Sequence, residues 1–150
     1  LPGGFFRLPN DTEYRKINHT NDTCVGYIGN NTNYDRDIPL NLQRDTVRSF
    51  CKIHNIPNNM MQVENEYLHW MPILEELIES EIDVIVMHSI YSLPDARRRR
   101  EYLMNLALRN NITMWFVNEE FCLSNETEKQ KINTYLDFGH KQKGWMPWET

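Results

Sequence analysis

An α/β fold is predicted for this chain: a three-layer domain with a mainly parallel sheet and helices on both faces. Two apolar runs are the main observations: residues 82–87 read Ile-Asp-Val-Ile-Val-Met, and residues 112–117 read Ile-Thr-Met-Trp-Phe-Val. Nearly unbroken β-branched and aromatic runs are typical of strands that are buried on both faces. Segments with helical spacing precede and follow both runs, and this alternation predicts parallel strands joined by helical crossovers.

The other elements follow from local patterns, beginning with a strand at residues 24–28 and a weaker strand at residues 60–63. Apolar residues at helical spacing predict helices over residues 40–55, 72–80, 94–110 and 125–138. Residues 1–22 are interpreted as a polar extension with a strand at 4–8, residues 23–138 as the domain, and residues 139–150 as a tail. The predicted inward-facing residues of the helices are Leu40, Val47, Phe50 and Cys51, then Ile73, Leu74, Leu77 and Ile78, then Leu103, Leu106 and Ala107, then Ile132, Tyr135 and Leu136.

The composition fits one globular domain and argues against several functional classes. The chain has 150 residues, 40% of them apolar, which is enough for a packed core. A net charge of −5 argues against nucleic-acid binding over the whole surface, although it is compatible with one local basic patch. No apolar run is long enough for a membrane span and no signal-peptide pattern is present, so we expect a cytoplasmic protein without membrane attachment. The chain begins Leu1-Pro2 without an initiator Met, which indicates a fragment.

The cysteines and the short motifs predict neither a metal site nor a cofactor. Cys24, Cys51 and Cys122 are far apart in sequence and form no C-x-x-C motif, and we interpret Cys24 and Cys51 as reduced core residues. No glycine-rich phosphate-binding motif is present, so no nucleotide cofactor is expected. Six N-x-[ST] sequons would be glycan acceptors in a secreted protein, but in so Asn-rich a chain we interpret them as chance matches.

Polar loops follow the predicted strands, and in parallel sheets the working site lies beyond the carboxyl ends of the strands. These loops span residues 29–37, 64–71, 88–95 and 118–125. His88 draws attention because it directly follows the central strand, although structural roles are commoner than catalytic ones for a single histidine. The sequence therefore places any functional site at the edge where these loops meet.

Across about residues 23–120, the order and spacing of residues resemble those of one known family. A Tyr in the first strand is followed by a helix that opens with Leu-x-x-Gln-Arg, and later by a Pro-x-Leu-x-x-Leu segment and the central strand. This pattern resembles the catalytic domain of the serine recombinases, the resolvase/invertase family. The resemblance implies a resolvase-like domain of flavodoxin-type topology and a role in DNA recombination. The matching residues are Tyr27, Leu40, Gln43, Arg44, Pro72, Leu74, Leu77, Asp83, Val84, Ile85, Val86, Ile90, Leu93 and residues 112–117.

The resemblance also implies a chemistry, because in that family a serine hydroxyl attacks a DNA phosphate and becomes covalently attached. Several arginines hold the phosphate and stabilise the transition state, a task that neutral side chains do not perform. In this chain the nucleophile position holds Asn31, whose carboxamide cannot make that attack. The arginine positions hold Gly29, Met71, Ser92 and Asp95. We therefore assign no catalytic residue, and we treat as a degenerate site Tyr27, Gly29, Asn31, Thr32, Gln43, Met71, Tyr91, Ser92 and Asp95.

Four consecutive arginines, Arg97, Arg98, Arg99 and Arg100, follow the third of these loops. Four successive residues point in all directions around a helix, so we favour a solvated helix face over a dedicated site. The alternative interpretation is a nucleic-acid-binding patch that contacts phosphate.

Three functions remain open from the sequence. The first is a recombinase-like domain without strand cleavage that acts as an interaction or regulatory module, possible partners being DNA and a second copy of the chain. The second is an active site-specific recombinase that uses replacement hydroxyls such as Thr32, Ser89 or Ser92. The third is an unrelated flavodoxin-like module that binds a ligand. The resemblance implies homodimer formation through residues 125–138, and DNA recognition through the arginine patch or through a region outside these residues.

Overall fold

The structure is a computed structural model, and it describes residues 5–7, 14–16, 23–29, 38–56, 60–64 and 70–143. Side chains are described within these ranges from Thr23 to Phe138. Two predicted site residues, Asn31 and Thr32, lie outside the described residues, as do residues 144–150 of the predicted tail.

Five strands form one sheet in the order β4-β3-β5-β6-β7, and four helices accompany it. The pairs β3–β4, β3–β5 and β5–β6 are parallel, and β6–β7 is antiparallel. The predicted α/β fold with a mainly parallel sheet is therefore confirmed. The strands are β1 (Phe5–Arg7), β2 (Tyr14–Lys16), β3 (Cys24–Gly29), β4 (Met61–Glu64), β5 (Val84–Met87), β6 (Thr113–Phe116) and β7 (Phe121–Leu123), and the helices are α1 (Leu40–Ile53), α2 (Pro72–Glu79), α3 (Arg97–Arg109) and α4 (Glu126–Lys143).

Alternate residues of the central strands point to two separate apolar layers. On β5, Val84 and Val86 pack on the side of α1, whereas Ile85 and Met87 pack on the side of α2, α3 and α4. All four are fully buried, as the unbroken apolar run predicted. Helices therefore cover both faces of the sheet, which gives the three layers.

Helix α1 comes unusually close to the sheet at Gly26 of β3. A Cβ atom at this glycine would lie 2.5 Å from the Met61 Sδ atom and 3.0 Å from the Val47 Cγ1 atom. Val47 belongs to the buried stripe of α1, together with Gln43 and Cys51 at intervals of one helical turn. The absence of a side chain at Gly26 thus lets α1 approach the strand that leads to the candidate site.

The structure corrects several of the predicted boundaries. Residues 118–125 were expected to form a loop, but they contain β7, whose three residues are too few to show a strand periodicity. Helix α3 begins at Arg97 instead of residue 94, because Ala96 still has an extended backbone. Helix α4 continues to Lys143, five residues past the predicted end at residue 138.

Two more expectations need adjustment. Tyr135 was predicted to face inward, but its side chain is 47% exposed, while Ile132 and Leu136 are buried. The predicted strand near the N-terminus is present as β1, and it pairs in antiparallel fashion with β2, which the sequence did not predict. None of the described helices combines the length and the apolar composition that crossing a membrane requires.

Candidate functional site

Tyr27 near the end of β3 belongs to a buried polar cluster that anchors α2. Its hydroxyl donates a hydrogen bond of 2.9 Å to the Glu64 Oε1 atom at the end of β4. The Glu64 carboxylate also accepts the backbone N–H groups of Ile73 and Leu74, each at 3.2 Å. The residue that precedes α2 provides no side-chain cap, so Glu64 satisfies these amides from the neighbouring strand. Burial, followed by the nearby Glu64, raises the pKa of Tyr27 far above its ordinary value, and the phenol remains a proton donor.

Gln43 of α1 is buried and holds both ends of the segment that carries Asn31. Its Nε2 atom donates to the carbonyl oxygens of Gly29 and Ile38, each at 2.8 Å. Its Oε1 atom accepts the N–H of Gly29 at 3.1 Å. A single carboxamide therefore joins the last residue of β3 to Ile38, two residues before α1. The sequence identified both Gly29 and Gln43 as site positions, and the structure brings them into direct contact.

Met71, at a position where the resemblance implies an arginine, contributes to the apolar core. Its side chain is 1% exposed and packs in the same cluster as Tyr27 and Leu74. Its backbone is left-handed, with φ 50° and ψ 68°, just before Pro72 begins α2. Because a thioether in this place has no charge and no strong donor, Met71 cannot hold an anion at the edge of the sheet.

A second polar cluster lies beyond the end of β5. The Ser89 hydroxyl donates to the Glu119 Oε2 atom at 2.6 Å, and the Ile90 N–H donates to the Oε1 atom at 2.9 Å. Glu119 thereby fixes a short 3₁₀-helix at Ile90–Ser92 against the turn between β6 and β7.

His88 lies two residues before that 3₁₀-helix and Ser92 is its last residue, and both are buried. The His88 Nδ1 atom and the Ser92 Oγ atom are 3.1 Å apart and share a hydrogen bond. Burial lowers the pKa of His88 to about 4, so the imidazole is neutral at physiological pH. A neutral imidazole can accept a proton from a hydroxyl, but it supplies no positive charge.

A cavity of 280 Å³ lies between the 3₁₀-helix, the β6–β7 turn and α4. Tyr91, which matches the family's aspartate position, contributes to its wall and is partly exposed. Ser92 and Asp95 are not among the residues that form this wall. The lining residues are Ile38, His88, Ser89, Tyr91, Asn118, Glu119 and Tyr135.

The four arginines point in different directions, as four consecutive helical residues must. Arg97 is paired with Asp137 of α4 at 2.6 Å, and Arg99 is paired with Glu75 of α2. The Arg99 Nε atom also donates to the Trp70 carbonyl at 2.8 Å. Arg98 is exposed and makes no hydrogen bond or ion pair with another described residue.

Arg100 is the most enclosed of the four, with 2% of its side chain exposed. Its guanidinium donates to Asn133 at 2.9 Å, to Asp137 at 3.1 Å and to the Asp95 carbonyl at 3.3 Å. Two of these partners belong to α4, so Arg100 joins α3 to α4. Asp95 itself, another position matched to an arginine, takes part through its backbone carbonyl in this internal network.

Sequence reasoning missed Glu64 and Glu119, the two carboxylates that organise the edge. Both follow or end an apolar strand, and such a polar residue at a strand end was the signal that could have identified them. Within the described ranges, no group of three or more His, Cys, Asp or Glu side chains is placed to hold a metal ion. Cys24, Cys51 and Cys122 are buried and form no disulfide.

Comparison with solved structures identifies the fold. The chain is similar to the N-terminal catalytic domain of TP901-1 integrase, with a TM-score of 0.61, 15% sequence identity, and coverage of 81% of this chain and 96% of that domain. It is also similar to a resolvase family site-specific recombinase from Streptococcus pneumoniae, with a TM-score of 0.59, 7% identity, and coverage of 81% and 90%. No family model and no curated protein matches the chain by sequence. The domain therefore has a resolvase-like catalytic-domain fold, and identities this low support a statement about the fold alone.

Proposed function

We propose that this chain is a serine-recombinase-like domain without strand-cleavage activity, which acts as an interaction or regulatory module in a DNA-associated protein. The observation that carries the proposal is the state of the four arginine positions. Gly29 has no side chain, Met71 is in the core, and Ser92 shares a hydrogen bond with the neutral His88. Asp95 would add a negative charge where the chemistry requires a positive one.

The nearby arginines do not compensate for these replacements. Each of the three that make described contacts is paired with a carboxylate of the protein: Arg97 and Arg100 share Asp137, and Arg99 reaches Glu75. Arg100 would have to leave a buried network to meet a phosphate, which is costly. When several members of a catalytic unit are missing together, little of its rate enhancement remains.

A covalent-trapping assay tests the proposal. Supercoiled DNA is incubated with the protein, the mixture is denatured, and any protein–DNA ester is detected by its altered electrophoretic mobility. We expect no adduct for the wild type. Any adduct would contradict the proposal, and its loss in Thr32→Ala would identify Thr32 as the residue that forms the ester.

The hydrogen bond between His88 and Ser92 favours one alternative, an active enzyme with replacement residues. A neutral imidazole 3.1 Å from a hydroxyl is the arrangement by which a base activates a nucleophile. For this alternative, Ser92→Ala and His88→Asn must each abolish an adduct that the wild type forms. Loss in both variants, with retention in Ser89→Ala, would establish the alternative and overturn the inactive assignment.

We further propose that the domain contacts DNA through Arg98 and the exposed part of Arg97. These two side chains line one open surface depression with Glu101, Tyr102 and Asn105. Gel-shift titrations over a range of salt concentrations test the idea. Arg98→Ala should weaken binding to any sequence and reduce the salt slope by about one. Arg48→Ala, a change at an exposed arginine of α1, is the matched control and should leave both values unchanged.

We also propose that the chain forms a homodimer through α4. Phe138, a large apolar side chain of this helix, is 59% exposed and would be covered in such a dimer. Sedimentation equilibrium should give a dimer for the wild type and a monomer for Phe138→Glu. A wild-type monomer at all concentrations would contradict the proposal.

A cytoplasmic location is proposed from the cysteines. Cys24, Cys51 and Cys122 are buried and form no disulfide, which fits a reducing compartment, where proteins seldom carry disulfides. Mass measurement after denaturation and alkylation of protein from its native source should show three modified cysteines. Fewer modified cysteines, or the mass of attached glycans, would contradict this location.

A further inference from the structure

The cavity beyond β5 and β6 has an unusual charge. Of the residues that line its described wall, only Glu119 is charged, and no lysine or arginine is among them. His88 adds no positive charge, because burial lowers its pKa to about 4. The cavity is therefore negative and lacks a counter-charge of its own among these residues.

The Glu119 carboxylate has hydrogen-bonding capacity left. Each of its oxygens accepts one hydrogen bond, from Ser89 and from the Ile90 amide. A carboxylate can accept about four hydrogen bonds, so about two sites remain. Because these two bonds hold Glu119 in one orientation, a ligand would meet a fixed anion and would not have to order it.

The remaining walls suit a cation. Tyr91 and Tyr135 line the cavity, and tyrosine rings attract ammonium and guanidinium groups. The adjoining surface already holds one such pair, since the Lys131 Nζ atom lies 5.2 Å from the centroid of the Phe121 ring. That ring packs edge-on against Tyr135 at 5.5 Å. A phosphate would instead approach a carboxylate without a neutralising group, which is unfavourable.

We propose that this cavity binds a cationic alkyl group, an ammonium or a guanidinium, with Glu119 as its counter-ion. A volume of 280 Å³ accommodates the end of an alkylamine or one arginine side chain, but not a drug-sized molecule. The ligand is either a free small amine or a basic side chain of a partner protein, and the two share this chemistry. The inference rests on the proposed function, because a working recombinase would need cations at this edge of the sheet.

Amide NMR titrations test the inference. Agmatine, putrescine, N-acetyl-arginine amide and inorganic phosphate are added separately to the ¹⁵N-labelled chain. We expect saturable shifts at Ile90, Asn118 and Glu119 with at least one cation, and none there with phosphate. Binding of the arginine amide as tight as that of agmatine would assign the ligand to a partner's side chain, and binding of agmatine or putrescine alone would assign it to a free amine.

Two variants test the site and a third is their control. Glu119→Gln should weaken cation binding by about tenfold or more, since it removes a charge-assisted hydrogen bond. Glu120→Gln changes the neighbouring exposed carboxylate, which does not line the cavity, and should leave the affinity unchanged. If Glu119→Gln unfolds the 3₁₀-helix, Tyr135→Leu still tests the site. Because Tyr135 is half exposed, this substitution should leave the chain folded, and it should lower the affinity for the cation several-fold.

Two results would overturn the inference: no saturable shift with any of the three cations, or an equal response to phosphate at the same amides. Neither result bears on the covalent-trapping assay, so the two proposals fail separately. A DNA adduct refutes the inactive assignment whatever the amines do, and a missing amine response refutes only the ligand class.

Discussion

The centre of the sheet and its carboxyl edge differ in what their side chains do. In the centre, Val84, Ile85, Val86 and Met87 are fully buried and fill two apolar layers. At the edge, the polar side chains are nearly as enclosed, but they bind the protein's own backbone. This difference indicates that hydrogen bonds within the protein stabilise the edge, and that few of its polar groups remain available to a substrate.

Three polar side chains at the edge have structural roles. Glu64 caps α2, Gln43 joins Gly29 to Ile38, and Glu119 holds the 3₁₀-helix. Catalytic sites usually keep their charged groups directed at the substrate, at a cost in stability. Here the same region should contribute to the free energy of unfolding, and substitutions at the edge and in the core allow the two contributions to be compared.

The largest effect is expected in the centre of the sheet. Ile85→Ala deletes a fully buried side chain of β5, and the surrounding layer cannot close over the space. We expect the free energy of unfolding to fall by about 4 kcal/mol. Urea denaturation followed by circular dichroism measures it, and a loss below about 1 kcal/mol would show that the two-layer core is wrong.

Two residues of the arginine run, Arg100 and Arg98, should differ strongly in their contribution to stability. Arg100→Ala leaves a space between α3 and α4 and removes the hydrogen-bond donor to the Oδ1 atom of the buried Asn133 side chain. We expect a loss of about 3 kcal/mol, with Asp137 still paired to Arg97. Arg98→Ala is the matched control and should change stability by less than about 0.5 kcal/mol. Equal effects of the two changes would contradict the placement of Arg100.

His88 should make stability depend on pH in a defined window. Its pKa is about 4 in the folded chain and 6.5 as the ordinary value, so the unfolded chain binds the proton more readily between these values. The contribution of His88 is therefore complete above pH 6.5 and is lost as the pH falls towards 4, to an extent of about 2 to 3 kcal/mol. Denaturation midpoints of the wild type and of His88→Asn, measured from pH 7 to pH 4, should converge as the pH falls. Parallel curves would mean that His88 is not buried as a neutral ring.

The smallest effect is expected at the Tyr27–Glu64 pair. Tyr27→Phe removes one hydrogen bond of 2.9 Å, while Glu64 keeps its two backbone donors. We expect a loss of about 1 kcal/mol. In a double-mutant cycle with Glu64→Gln, the two changes should be non-additive by about 0.5 to 1 kcal/mol. Strict additivity would argue against the hydrogen bond.

The sequence predicted the apolar part of the molecule well, for a physical reason. A strand buried on both faces needs an unbroken apolar run, and a covering helix needs apolar residues three or four apart, so β5, β6 and α2 could be located from spacing alone. β7 could not, because three residues of an edge strand leave no period to detect. Tyr135 fits the apolar spacing of α4, but the neighbouring layers do not reach far enough to cover it.

The candidate site was predicted in position but not in organisation. Sequence order placed Gly29 and Gln43 at the edge, yet their contact depends on how α1 folds back along β3. The positions of Glu64 and Glu119 at strand ends are visible in the sequence, but their partners are backbone amides 9 and 29 residues away, which no local pattern shows. The pairing of Arg100 with Asn133 and Asp137 likewise requires the packing of α3 on α4.

An amide NMR titration of the chain with a short DNA duplex at low salt tests most directly whether this edge binds a phosphodiester. We expect that the amides of Gly29 and Ser92 do not shift, because the described edge offers no converging cations to a phosphate. Saturable shifts at both residues, strongest at low ionic strength, would contradict this expectation and restore the edge as a phosphodiester-binding site.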